Sequence, residues 1–202
     1  FSSVSIYFCF QLYYKTKIMK KSLLTIITTL FFAQFFSQNI IYVDKDATGI
    51  ATGTSWSSAY TDPNIAFNVA NVGDQIWIAE GTYVCQGTSR TASFSWQKDS
   101  ISVYGGFNGT ETTLSQRNWI NNPTIFSGEI QGDNDLTNNS FTVLKGPNSS
   151  TNINYSLVDG ITVKDGYATT VDAAGTQLFR WGGGFFLSAN VKRMDIKNCS
   201  FI

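Results

Sequence analysis

From Asn39 onward the chain alternates apolar and polar positions in short bursts: "NIIYVDKD", "QIWIAEGTYV", "SISVYGGF", "PTIFSGEI", "SFTVLKG", "SLVDGITVKDG", "GGFFLSANV" and "RMDIKNCSFI". Each burst is rich in β-branched and aromatic residues and is bounded by Gly, Asn, Ser or Thr, which predicts a series of short strands. One apolar anchor per burst can be followed along the chain as Ile76, Ile101, Ile125, Val143, Ile161 and Phe185. These recur at intervals of roughly 18 to 25 residues, a period that points to a repeating solenoid rather than a meander. Hairpins would place Asn-Gly or Asp-Gly turns between strands of matching length. Asn108-Gly109, Asp159-Gly160 and Asp165-Gly166 do not sit that way, and Asp159-Gly160 lies inside "SLVDGITVKDG", where a bend would carry one short strand into the next.

One segment has helical rather than strand spacing. In "DPNIAFNVANVGD", Asp62 to Asp74, an aspartate is placed to cap and Pro63 occupies the tolerated first position. Ile65, Val69 and Val72 share a face before Gly73 ends the pattern. The expectation is an amphipathic helix that lays this face over the open end of the first strands, covering apolar side chains and unpaired backbone groups.

The first forty residues read as an address. "MKKSLLTIITTLFFAQFFSQ", residues 19–38, has a start-like Met19, basic Lys20 and Lys21, and an apolar run from Leu23 to Phe36, the pattern of a secretory signal peptide. The run is shorter than the ~20 residues of a spanning helix. Cleavage falls near Gln38, although Phe35 is larger than the residue expected two positions before Ser37. An uncleaved anchor is the competing reading. Residues 1–18 precede this signal without a methionine and are read as a translated upstream segment, against the alternative of a membrane hairpin. The mature domain is therefore expected over 39–202.

Charge and composition narrow the chemistry. Lys plus Arg and Asp plus Glu number 14 each and are scattered, so the basic footprint of a nucleic-acid binder is missing. The chain contains no histidine, which removes Ser-His-Asp and Cys-His catalysis and imidazole metal ligation. Cys9, Cys85 and Cys199 have no CxxC spacing. A Cys85–Cys199 disulfide is conceivable, but two separate small core residues are the commoner outcome.

These stretches resemble a family. "AFNVANVGDQIWIAEGTYV", Ala66 to Val84, is similar to the entry of secreted right-handed parallel β-helix proteins of the pectin-lyase-like type. "ISVYGGFNGTETTLSQRNWINNPTIFSGEIQGDND" resembles the start of bacterial surface β-helix proteins related to the polymorphic outer-membrane proteins, many from Bacteroidetes. "LVDGITVKDGYA" and "GGGFFLSANVKRMDIKNCSFI" resemble their coil repeats. The resemblance implies an all-β fold, a right-handed parallel β-helix (solenoid) with a short N-terminal capping helix, truncated at the C-terminus. It implies a secreted or cell-surface protein of the outer membrane of a Gram-negative bacterium. It says little about activity, since such proteins include lyases, hydrolases and adhesins.

The triple glycine Gly182 to Gly184 runs into Phe185, Phe186 and Leu187 rather than into the Lys and hydroxyl residue of a phosphate loop, so it reads as a tight corner. Asp44 and Asp46, and Glu129, Asp133 and Asp135, supply hard oxygen ligands that suit calcium, the one possible cofactor. The same residues serve commonly as turn acceptors. Asp159, Asp165, Asp172 and Asp195 are candidates for a glycosidase carboxylate pair, with no pair singled out. Arg180, Lys192 and Arg193 are the basic candidates for an elimination. Trp96, Trp119 and Trp181, with Trp56 and Tyr104, are candidates for stacking on sugar rings, against the ordinary role of core aromatics. The sequons at Asn108 and Asn148 carry little weight if the source is the bacterial one that the resemblance implies.

The expected function is an exported surface scaffold, adhesin-like or structural. Its expected partner is a polysaccharide or cell-surface glycan, with no nucleic acid, and with a membrane only through the signal or a C-terminal anchor. The alternative is a polysaccharide lyase or glycoside hydrolase whose catalytic residues lie beyond Ile202.

Overall fold

The computed structural model describes residues 38–146, 155–168, 183–187 and 191–202, together with Lys15. The chain divides into two compact units, 1–38 and 39–202. The upstream segment and the signal peptide expected over 1–38 lie outside the described residues apart from Lys15 and Gln38.

Among the described residues twelve strands sort into three sheets, parallel throughout. The first holds β1 (Ile40–Val43), β2 (Gln75–Ala79), β5 (Ser102–Phe107), β8 (Ser156–Asp159) and β11 (Met194–Lys197), in that order. The second runs β3 (Gly81–Val84), β6 (Thr124–Ser127), β9 (Ile161–Lys164) and β12 (Ser200–Phe201). The third runs β4 (Phe94–Ser95), β7 (Leu144–Lys145) and β10 (Phe185–Phe186). A helix α1 (Pro63–Val69) and 3-10 turns at Trp56–Ser58, Leu114–Gln116 and Leu136–Asn138 interrupt the connections.

Parallel register places like residues over one another, and the core follows from it. Ile41 lies opposite Ile76, Ile76 opposite Val103 and Val103 opposite Val158. In the second sheet Tyr83, Phe126 and Val163 form the matching column, and in the third Phe94, Leu144 and Phe185. The columns meet in one apolar cluster, where Phe94 stacks on Phe126 at 4.3 Å. Burying each such side chain contributes about 1.5–3 kcal/mol. Outside the first sheet a second aromatic group forms: Trp77 stacks on Phe107 at 4.7 Å, and Tyr42 meets Trp56 edge-on at 4.8 Å.

The all-β, right-handed parallel β-helix solenoid expected from the sequence is corrected. The strands belong to three discrete parallel sheets rather than to one solenoid, and an α-helix and three 3-10 turns are built between them. Alternation is cut short locally, at strands as brief as two residues. Between the first and second sheets the cut is made by a left-handed backbone position: Gly81 with φ 126°, Gly160 with φ 79° and Asn198 with φ 49°. Asparagine is among the few non-glycine residues that tolerate this region. One of the apolar anchors also has the opposite parity. Ile125 points outward between the buried Thr124 and Phe126, so it does not belong to the core series that contains Ile76, Ile101, Val143 and Ile161.

The helix forms where its cap predicts but with the other face inward. Asp62 accepts a hydrogen bond from the Asn64 N–H at 2.8 Å, and Pro63 opens the first turn. Ala66, Phe67 and Ala70 are buried, and α1 packs on β1, β2 and β4. Ile65, Val69 and Val72, expected to face the core, are 42%, 46% and 66% exposed. The small alanines allow close approach to the strands, and Phe67 alone reaches Trp96 and Phe126. A stripe chosen by hydrophobicity is thus displaced by one chosen by fit.

Candidate functional site

The outward face of the second sheet carries a concavity. In strands β3, β6 and β9 the alternation that sends Tyr83, Phe126 and Val163 inward sends two rows outward, Thr82, Ile125 and Thr162 in one and Val84, Ser127 and Lys164 in the other. The connections after β6 and β9 rise beside these rows. They enclose a groove of about 270 Å³ lined by Thr82, Val84, Ser127, Glu129, Lys164 and Asp165, among others. A second depression of about 210 Å³ lies on the other side of β3, between Lys45, Asp62, Thr82, Val84 and Gln86. Thr82 and Val84 line both, so the two depressions adjoin at β3, and together they are termed the track.

The groove is held by backbone contacts that leave little room. The Gly128 N–H donates to the Lys164 carbonyl at 3.0 Å, and a Cβ on Gly128 would lie 2.5 Å from the Asp165 carbonyl oxygen. Asp165 itself sits at φ 58°. Its carboxylate accepts from the Ser127 hydroxyl at 2.7 Å and pairs with Lys164 at 3.2 Å. The Ser127 oxygen in turn accepts from the Glu129 N–H at 3.1 Å. Glu129 Oε1 accepts from Gly132 and Gln131, which folds the loop over its own carboxylate and leaves Oε2 without a protein partner among the described residues. At the far end, Lys45 pairs with Asp46 at 2.7 Å. Beneath it the Tyr83 hydroxyl accepts from the Lys45 N–H and donates to the Ala79 carbonyl, and burial pushes its pKa well above the ordinary tyrosine value.

The other candidate residues are spread through the fold. Asp44 accepts the Asp46 N–H at 2.9 Å, and Asp133 accepts the Asp135 N–H at 2.9 Å and the Asn138 amide at 2.8 Å. Asp135 caps the 3-10 turn through the Thr137 hydroxyl and N–H, which hold its carboxyl below the usual value. These carboxylates close turns. Among the described residues no three His, Cys, Asp or Glu side chains gather closely enough to hold a metal ion. Trp96 is 1% exposed and packs on Phe67, so its ring presents no face to a ligand. Trp119 is 37% exposed and lies over the Arg117 guanidinium at 4.9 Å. Trp181, Asp172 and Arg180 lie outside the described residues. Asp159 is buried against Arg117, at 2.6 Å, and the Asn198 amide, at 2.7 Å. Asp195 pairs with Arg193, whose hydrogen bond lowers its carboxyl pKa. Cys85 and Cys199 are free thiols. Gly183 meets the Gly166 backbone, an approach that leaves no room for a side chain.

Of the acidic candidates among the described residues the structure therefore brings Glu129 and Asp165 to the same groove and disperses the others. Thr82, Ser127 and Lys164 were not singled out in the sequence. The sequence signal was partial, since "ITVK" alternates with period two whereas "GTYV" and "TIFS" do not. Only the parallel register, with Val84 beside Ser127 and Ser127 beside Lys164, shows that their outward positions form a row.

No family model matches the chain, and neither the curated proteins nor the solved structures yield a match. Among the described residues no helix is long and apolar enough to cross a membrane.

Proposed function

We propose that this chain is an exported surface protein, adhesin-like and without catalytic activity of its own, that binds a glycan along the track over the second sheet. The single observation that carries the reading is that two adjoining depressions share Thr82 and Val84 as lining residues. With strands ~4.8 Å apart, the groove from β3 to β9 runs for roughly 10 Å, which suits a short stretch of a linear polymer better than a compact metabolite. Its lining mixes hydroxyls, carboxylates and a lysine around the aliphatic Val84, the combination that hydrogen-bonds sugar hydroxyls while contacting their apolar C–H faces. The leader read over 19–38 supports secretion, and the surface of a Gram-negative cell is the proposed location. Calcium is not required by this reading.

A rival reading draws on the same groove, where Glu129 and Asp165 supply two carboxylates of the kind glycosidases use. Asp165 is committed to Ser127 and Lys164, and Glu129 Oε1 to its own loop. These contacts favour a binding and structural role for Asp165, and among the described residues they leave Glu129 one free oxygen for a ligand but no paired acid or base beside it. Incubating the full chain with neutral, acidic and amino polysaccharides, with and without calcium, separates the two. The proposal expects retention on one or more polymers with neither new reducing ends nor unsaturated products; turnover abolished by Glu129→Gln would replace it with the enzyme.

A further inference from the structure

The charge balance of the groove carries the glycan reading one step further. Two lysines border the track, and each is paired with the aspartate that follows it in the sequence, Lys45 with Asp46 and Lys164 with Asp165. Neither positive charge is left over to meet an anionic ligand. Glu129 has no such partner, and its Oε2 is free of protein hydrogen bonds among the described residues. Asp62, at the other end, accepts only from the backbone of α1, a neutral donor. The lining therefore holds surplus negative charge, and Ser127 adds a hydroxyl between the Glu129 backbone and the Asp165 carboxylate.

We infer that the groove selects oligosaccharides of 2-amino sugars, carried as ammonium ions, over N-acetylated and uronate-containing chains. The inference rests on the glycan-binding reading above. An ammonium group in this groove finds the Glu129 carboxylate as an unpaired acceptor, beside the Asp165 carboxylate already paired with Lys164, and so displaces no existing ion pair. A uronate in the same place meets those carboxylates at close range and finds no unpaired cation, and like-charge contacts of this kind are the ordinary means of rejecting a wrong partner. An N-acetyl group removes the charge and adds bulk, and so loses the attraction without gaining a partner.

The test is calorimetric titration of the full chain with three tetramers of equal length: glucosamine, N-acetylglucosamine and galacturonate. The glucosamine tetramer is expected to bind roughly tenfold more tightly than the other two, a difference of one favourable charge contact, and to lose that advantage in high salt and at a pH where its amines are neutral. Glu129→Gln keeps the Oε1 acceptor for the Gly132 N–H and removes the surplus charge. It is expected to abolish the preference while leaving circular dichroism and the unfolding midpoint unchanged. Equal binding of all three tetramers, or tighter binding of galacturonate, overturns the selectivity and leaves the glycan site standing. An unchanged preference in Glu129→Gln also overturns it. Failure of all three to bind overturns the selectivity and the glycan-binding reading together.

Discussion

Replacing Arg117 with methionine removes a guanidinium that is 8% exposed and pairs at 2.6 Å with an Asp159 side chain that is itself 9% exposed. The arginine also donates to the carbonyls of Gly105 and Asp159 and is flanked by the rings of Trp119 and Tyr104. It thereby ties the connection after β5 to the bend between β8 and β9. After the substitution Asp159 keeps only the Asn198 amide for its charge. Breaking one side of a buried ion pair typically costs 3–5 kcal/mol because the remaining charge is stranded in a poor solvent. We therefore expect Arg117→Met to lower the free energy of unfolding by about 3–5 kcal/mol. Arg117→Lys is expected to recover only part of this, since an ammonium cannot reach two carbonyls and a carboxylate in one plane. Adding Asp159→Leu to Arg117→Met is expected to restore at least 1 kcal/mol, roughly, by removing the stranded carboxylate. Urea titration with unchanged m-values is the assay. A loss below about 1 kcal/mol for Arg117→Met would refute the reasoning, because it would place the pair among exposed ion pairs.

Other consequences follow from the same structure. Gly160→Ala meets both a φ of 79° and the Gly105 carbonyl oxygen 3.0 Å from the new Cβ, whereas Gly132→Ala has φ 71° and open space around it. Thermal unfolding should show the second costing about 1–2 kcal/mol and the first clearly more. Burial pushes the Cys85 thiol up to about 11, and Ser140, Phe94 and Lys145 only partly oppose this. The unfolded thiol ionises first as pH rises, so the unfolded state binds fewer protons and the stability contributed by Cys85, roughly 2–3 kcal/mol, disappears between about pH 9 and pH 11. Tyr83, raised in the same direction by burial, adds to that slope. Cys85→Ala should flatten the alkaline limb of a stability profile, and in the native protein Cys85 should resist alkylation until the chain unfolds. Trp96→Phe removes a buried indole N–H that has no hydrogen-bond partner among the described residues, so its cost by urea titration should stay under about 1.5 kcal/mol despite the lost area.

The local features legible in the sequence were those set by nearest neighbours. Asp62 and Pro63 mark the start of α1, and the bend at Asp159-Gly160 joins β8 to β9. Which face of α1 turns inward was not legible, because Ile65, Val69 and Val72 win on hydrophobicity whereas Ala66 and Ala70 win on the distance of approach to β1 and β2. Parity failed at Ile125 for a related reason. A threonine, Thr124, takes the inward place beside it, and it is satisfied there by donating to the Ile78 and Ala79 carbonyls. The sheet division was hidden because the bends between the first and second sheets use glycine at Gly81 and Gly160 but asparagine at Asn198, at unequal spacing. The candidate site suffered most. Glu129 was visible as one member of an acidic run, but its neighbours in space, Ser127 and Lys164, are brought together only by parallel pairing across β6 and β9.

Blocking the track at its shared residue tests the central claim most directly. Thr82 is exposed and lines both depressions, so Thr82→Trp fills the middle of the groove without disturbing the core. Retention of the full-length variant on immobilised polysaccharide would be compared with that of the unsubstituted protein after circular dichroism shows equal folding. The account predicts that retention is lost in the variant. Undiminished retention would contradict it and place glycan binding elsewhere on the chain.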